Sequence, residues 1–153
     1  MERAHCECRP RRRVIPMIEE LSIQQTLNRY SESASRADWE QVLSTYVPDG
    51  VWEIPYLGAK FEGHDAIRDA LRHFGGPMDY IVQINAPALI DVNEDTATAR
   101  SVIRECGKFM GQNEALEVLG FYADTLLRTP AGWKFTHRVF EVRGMHRFPL
   151  VPA

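Results

Sequence analysis

At 153 residues, with 44% hydrophobic and 25% charged side chains, the chain has the size and composition of one globular domain with a core of its own and no room for a second. A formal net charge of −3 excludes the broad basic surface that nucleic acid requires, since only the cluster Arg9 to Arg13, interrupted by Pro10, is positive. No apolar run approaches the ~20 residues of a membrane span and no secretory core follows the arginines, so neither nucleic acid nor membrane is expected as a partner and the cytoplasm is the expected location.

Residues 1–16 combine Arg and Pro with few apolar anchors and are expected to be a disordered arm, Met17 being a sensible beginning for the folded chain. His5-Cys6-Glu7-Cys8 lacks the second ligand pair of a metal site, and Cys106 stands alone, so neither a metal nor a disulfide framework is expected. Ile23, Leu27, Tyr30 and Ala34 recur at helical spacing and predict a helix from about Ile18 to Ser35 with Tyr30 on its buried side. Asp38, with Gln41 three residues on, starts a short second helix whose apolar face is Trp39, Val42, Leu43 and Tyr46, and Pro48-Asp49-Gly50 is expected to end it. A strand over Val51 to Tyr56 follows. Phe61-Glu62-Gly63 leads into a third helix that buries Ile67, Ala70, Leu71 and Phe74 and stops at Gly75-Gly76-Pro77, with His64 and His73 off the stripe and expected at the surface.

Strand patterns fill the rest: Tyr80 to Val92, Thr96 to Phe109, Leu116 to Arg128 and Trp133 to Arg143. Asn93-Glu94-Asp95, Gly111-Gln112-Asn113, and Pro130 with Gly132 supply the turns of an antiparallel meander. Helices before a long antiparallel sheet make an α+β domain, and strands of such length are expected to coil around the helices, leaving an open end as a pocket lined by aromatics. In the last hairpin Tyr122, Asp124 and Leu126 share one face, on which a lone carboxylate needs a partner or a cavity. Arg138 and His137 on the facing strand are the candidates. A buried Asp124 to Arg138 pair that fixes register and a role in the pocket are both open, and His137 shares its parity with Trp133 and Phe135.

The segments LNRYSESASRADWEQVLSTYVPDGVWEI, FEGHDAIRDALRHF, DTATARSVIRE and FYADTLLRTPAGWKFTHRVF together resemble the SnoaL-like branch of the nuclear transport factor 2 superfamily, from Met17 to Arg143. The resemblance implies a cystatin-like α+β cone, three N-terminal helices against a strongly curved antiparallel sheet, with the domain over residues 17–145 and a tail over 146–153. It also implies side-chain acid/base chemistry without a cofactor, of the lyase or isomerase kind found in dehydratases, polyketide cyclases and steroid isomerases, on a small hydrophobic cyclic molecule. Residue by residue, Tyr30 stands where such enzymes carry a tyrosine, whereas Ser35 stands in place of an aspartate and Gln83 in place of a histidine. Glu105 matches a further acid, and Arg143 or Arg138 an arginine of the last strand. The candidate catalytic set is therefore Tyr30, Glu105, Asp124, His137 and Arg138. Trp39, Trp52, Phe61, Phe74, Tyr80 and Tyr122, with Ser35, Gln83 and Arg143, are candidates for binding substrate. For Glu105 the alternative is a rim ion pair with Arg104 or Lys108, and for Tyr30 a core aromatic. Two other functions remain open, a ligand-binding protein without catalysis and the small subunit of a ring-hydroxylating dioxygenase. Apolar residues on both faces of Phe121 to Leu127 lead us to expect a homodimer through the outer sheet face.

Overall fold

The computed structural model describes residues 14–150; of the arm expected over residues 1–16, residues 1–13 with the His5-Cys6-Glu7-Cys8 cluster lie outside the described residues, and residues 14–16 belong to the first helix. Helix α1 (Val14–Ser35) begins earlier than its apolar stripe and buries Ile23, Leu27, Tyr30 and Ala34. Asp38 caps α2 (Trp39–Leu43), its carboxylate accepting from the Gln41 amide at 3.1 Å. That helix is shorter than its spacing predicts. Tyr46 opens strand β1 (Tyr46–Ile54), and Pro48-Asp49-Gly50 forms an irregularity inside the strand instead of a turn before it. Glycine is required there because a Cβ on residue 50 would lie 2.9 Å from the Tyr46 ring and 3.2 Å from the Phe135 carbonyl oxygen.

A 3-10 turn over Pro55–Leu57 and the left-handed Gly58 (φ 61°) reverse the chain into β2 (Ala59–Glu62), a short strand that the sequence pattern does not reveal. Helix α3 (Gly63–Gly75) follows with Ile67, Ala70 and Leu71 buried. The expected strand from Tyr80 to Val92 is two strands, β3 (Met78–Asn85) and β4 (Leu89–Asn93), each antiparallel to β5 (Thr96–Phe109). Pro87 sits at the break, where a residue without an N–H interrupts an edge at least harm to the sheet.

The remaining strands, β6 (Glu114–Thr129) and β7 (Gly132–Pro149), form the long hairpin, and residues 146–149, expected as tail, continue the ladder to Pro149 opposite Glu114. The open sheet runs β2-β1-β7-β6-β5-β3, antiparallel except where β1 meets β7 in parallel. Helix α1 touches β7 and also β3 and β4 across the sheet, because the sheet curls around it. Two register shifts in the β6–β7 ladder mark bulges that help this bend. The fold is thus α+β, three helices against a curved sheet of seven mostly antiparallel strands.

Candidate ligand pocket

The curl leaves a cavity of about 390 Å³ between the helices and the inward faces of β3, β5, β6 and β7, a size typical of small-molecule sites. Trp39, Trp52, Phe74, Phe109, Tyr122 and Phe140 give it an aromatic wall, with Tyr30 at its inner side. The Trp52 and Phe74 rings meet edge to face at 6.1 Å, and Phe61 packs behind both without lining the cavity. Tyr56, Leu57 and His73 are exposed lining residues and form the rim, so His73, expected at the surface, is there but beside the mouth. Gly75 lets α3 close onto α2, since a Cβ there would fall 2.5 Å from the Trp39 ring.

One polar group interrupts this wall. Gln83 and Glu105 are cross-strand partners on β3 and β5, and the Gln83 amide Nε2–H donates to Glu105 Oε2 at 2.7 Å and reaches the Tyr122 hydroxyl at 3.4 Å. The Gln83 backbone N–H donates in turn to Ser35 Oγ at 2.9 Å, whose hydroxyl donates to the Ser31 carbonyl at 2.7 Å. Ser35 is thereby used in fixing β3 to α1 and stands behind the wall, outside the lining. The expected rim pair of Glu105 does not form, because Arg104 pairs with Glu117 and Lys108 with Asp79. Desolvation raises the Glu105 pKa above its ordinary value and the Gln83 amide opposes the rise. Burial also pushes the Tyr30 and Tyr122 hydroxyls up, Tyr122 well up, so both stay neutral and serve as hydrogen-bonding groups.

Asp124 and Arg138 face each other across β6 and β7, fully buried, with Arg138 Nε 3.5 Å from Asp124 Oδ1. Neither lines the cavity. The Arg138 guanidinium lies over the rings of Tyr122 (3.6 Å), Tyr30 (4.0 Å) and Phe135 (4.5 Å), which take the place of water around it. Burial disfavours its charge, but Asp124 and the surrounding tyrosines outweigh that and hold its pKa above the ordinary value. His137 turns to the other side of β7, where Nε2 meets Glu53 Oε2 at 2.9 Å. The parity shared with Phe135 fails because Thr136 is an extra, unpaired residue between the Leu126–Phe135 and Thr125–His137 pairs, a bulge that hands the inward position to Arg138. Tyr80 is exposed outside the cavity, and Arg143, skipped in the ladder at the second bulge, lies over the Phe121 ring at 5.5 Å on the outer face.

Of the candidates, the structure brings together Tyr30, Trp39, Trp52, Phe74, Gln83, Glu105 and Tyr122, and leaves Ser35, Phe61, Tyr80, Asp124, His137, Arg138 and Arg143 outside. Phe109, Val118, Phe140 and Val142 line it as well; the first two follow from the parity of Glu105 and Tyr122, the last two only once the bulges are known. Among the described residues no three His, Cys, Asp or Glu side chains converge as a metal site, and no helix is long and apolar enough to cross a membrane.

Residues 17–139 match the SnoaL-like domain family. Among solved structures, a provisionally named aromatic ring hydroxylase from Novosphingobium aromaticivorans DSM is similar at 23% identity, with a TM-score of 0.81 over 87% of this chain and 95% of that one. A provisionally named scytalone dehydratase from N. aromaticivorans DSM 12444 shows 22% identity and a TM-score of 0.80 over 90% and 93% of the two chains. The hexachlorocyclohexane dehydrochlorinase LinA-type3 of Novosphingobium barchaimii LL02 shows 13% identity and a TM-score of 0.79 over 90% and 97%. These likenesses speak to the fold.

Proposed function

The chain belongs to the SnoaL-like domain family, and from that membership and the chemistry of its cavity we propose that it is a cofactor-independent lyase or isomerase, of the dehydratase or cyclase kind, acting on a hydrophobic cyclic molecule. The observation that carries this reading is Glu105, a carboxylate in an aromatic wall, anchored through one oxygen by Gln83. Its raised pKa strengthens it as a base relative to an exposed glutamate, and the Gln83 bond fixes the side chain so that the second oxygen is the one left to take a proton. The proton comes from a carbon beside a carbonyl or next to a leaving group. The Tyr122 hydroxyl, neutral and in contact with Gln83, is the donor for the oxyanion or leaving group, and Tyr30 completes that end of the cavity. Arg138 and Asp124 act beneath it, holding the two tyrosine rings in place.

The dehydratase and the dehydrochlorinase among the similar structures are named for reactions of the elimination type, which agrees with this chemistry. The second reading, a binding protein without turnover, is favoured by Ser35 and Gln83, which stand where the family resemblance implies an aspartate and a histidine and which are joined only through the Gln83 backbone N–H. A mass spectrum of small molecules that co-purify with the protein, followed by incubation with each, separates the two. The enzyme reading expects conversion that Glu105→Gln abolishes; tight binding with no conversion leaves the binding protein.

A further inference from the structure

The cavity's charges are unevenly placed. Among the described residues its lining contains one carboxylate, Glu105, and one histidine, His73 at the exposed rim, but no lysine or arginine. The buried cation Arg138 does not make up the difference, because the Tyr30 and Tyr122 rings cover its guanidinium and Asp124 offsets its charge. The free atoms of the Gln83–Glu105 pair are acceptors, and the donors at that wall are the Tyr30 and Tyr122 hydroxyls. Among the described residues Glu105 Oε1 has no hydrogen-bond partner, Gln83 Nε2 being bonded to Oε2, and Gln83 Oε1 is buried without one. Acceptors left bare in an apolar surround favour a guest that brings an N–H or O–H. An anionic guest meets the opposite conditions: it gives up its water, finds no cation inside, and is repelled by the carboxylate at short range in a weakly screened space.

We propose that the cavity selects by charge: it takes an uncharged or cationic cyclic molecule that presents a hydrogen-bond donor to Glu105, and it rejects the same ring skeleton when that carries a carboxylate or phosphate. The inference rests on the cavity being the protein's ligand site and not on its being catalytic. It places the substrate among cyclic alcohols, phenols and amines, and excludes those whose acid or phosphate group must enter the cavity.

Isothermal titration calorimetry of the full chain at neutral pH tests this with three probes of one skeleton, β-naphthol, β-naphthylmethylamine and β-naphthoate. The alcohol and the amine are expected to bind at least about tenfold more tightly than the acid. Glu105→Gln, which keeps the shape of the side chain and removes the repulsion but not the cost of desolvation, is expected to narrow the gap between acid and alcohol at least about threefold and to remove any advantage of the amine. Equal or tighter binding of β-naphthoate by the unmodified protein overturns the proposal without recourse to the variant, and a gap unchanged in Glu105→Gln overturns the assignment to Glu105. Binding of none of the three removes the ligand-site reading along with it. The expected selectivity with no turnover of any bound molecule removes only catalysis.

Discussion

At the scale of single residues, Glu105 joins the energetics of the fold to its chemistry. Its carboxylate is held by Gln83 alone among the described side chains, so removal of its charge is the sharpest probe of the site. With a substrate in hand, Glu105→Gln is expected to lower kcat by about 10² to 10⁴, while Gln83→Leu, which frees the carboxylate without removing it, lowers it less and shifts the acid limb of the pH profile upward. Rates unchanged by Glu105→Gln would transfer the work elsewhere. The same group carries a cost in stability. Because its folded pKa is raised by desolvation, Glu105 is neutral in both states below its unfolded value and becomes a penalty to the folded state as pH rises through the folded one. Glu105→Gln is therefore expected to melt higher than the parent at about pH 8 and to match it at about pH 4. Thermal melts of the two proteins at both pH values decide this, and an equal difference at each pH rejects it.

At the scale of elements, the β6–β7 hairpin shows how much of the fold and site the sequence discloses. Its turn and the inward face of Tyr122, Asp124 and Leu126 follow from the residue pattern, and the need of a buried carboxylate for a cation narrows the partner of Asp124 to Arg138 or His137, of which the structure pairs Arg138. What alternation does not disclose is the bulge at Thr136, because an extra residue leaves no mark in composition, yet it reverses the parity from there to the second bulge at Arg143 and exchanges Arg138 for His137. Pro48-Asp49-Gly50 misleads for a related reason: turn-forming residues also serve an irregular strand where another backbone comes close, as Phe135 does at Gly50. The helices are legible because their spacing is local. The pocket's membership is less so, since it depends on which faces several distant strands present to one space.

The buried pair yields a prediction of its own. Replacing Arg138 by Met strands the Asp124 carboxylate among aromatic rings, and is expected to destabilise the protein by about 3–5 kcal/mol. The double change Arg138→Met with Asp124→Leu is expected to recover much of that loss, because two apolar side chains of similar volume need no solvation. Urea denaturation of the single and double variants measures both numbers. A single variant within about 1 kcal/mol of the parent would show that the pair does not hold the hairpin.

At the scale of the whole molecule, the sheet's two faces are both apolar but have unequal cover. The inner face packs on α1 and the cavity, while the outer face leaves Val82, Ile84, Val102, Leu119 and Phe121 partly or largely exposed on the adjacent strands β3, β5 and β6. Register places Val102 beside Phe121, and Arg104 between Ile84 and Leu119 in the next row, so the apolar residues surround one arginine, which is paired with Glu117. The patch is bordered by Arg100, Glu117, Glu141 and Arg143, charges of both signs, which suits a surface that meets itself across a two-fold axis. A second copy of this chain is accordingly the expected cover. Light scattering at micromolar concentration should give twice the mass of one chain, and Phe121→Lys, which puts a charge at the centre of the patch, should give one chain with its melting transition still cooperative. Since Phe121 points away from the cavity while Tyr122 beside it points in, the monomeric variant should still bind a ligand of the pocket. A parent protein that is already monomeric rejects the dimer. A Phe121→Lys protein that separates into monomers and loses ligand binding would mean that assembly through the outer face shapes the cavity on the other side of the same strands.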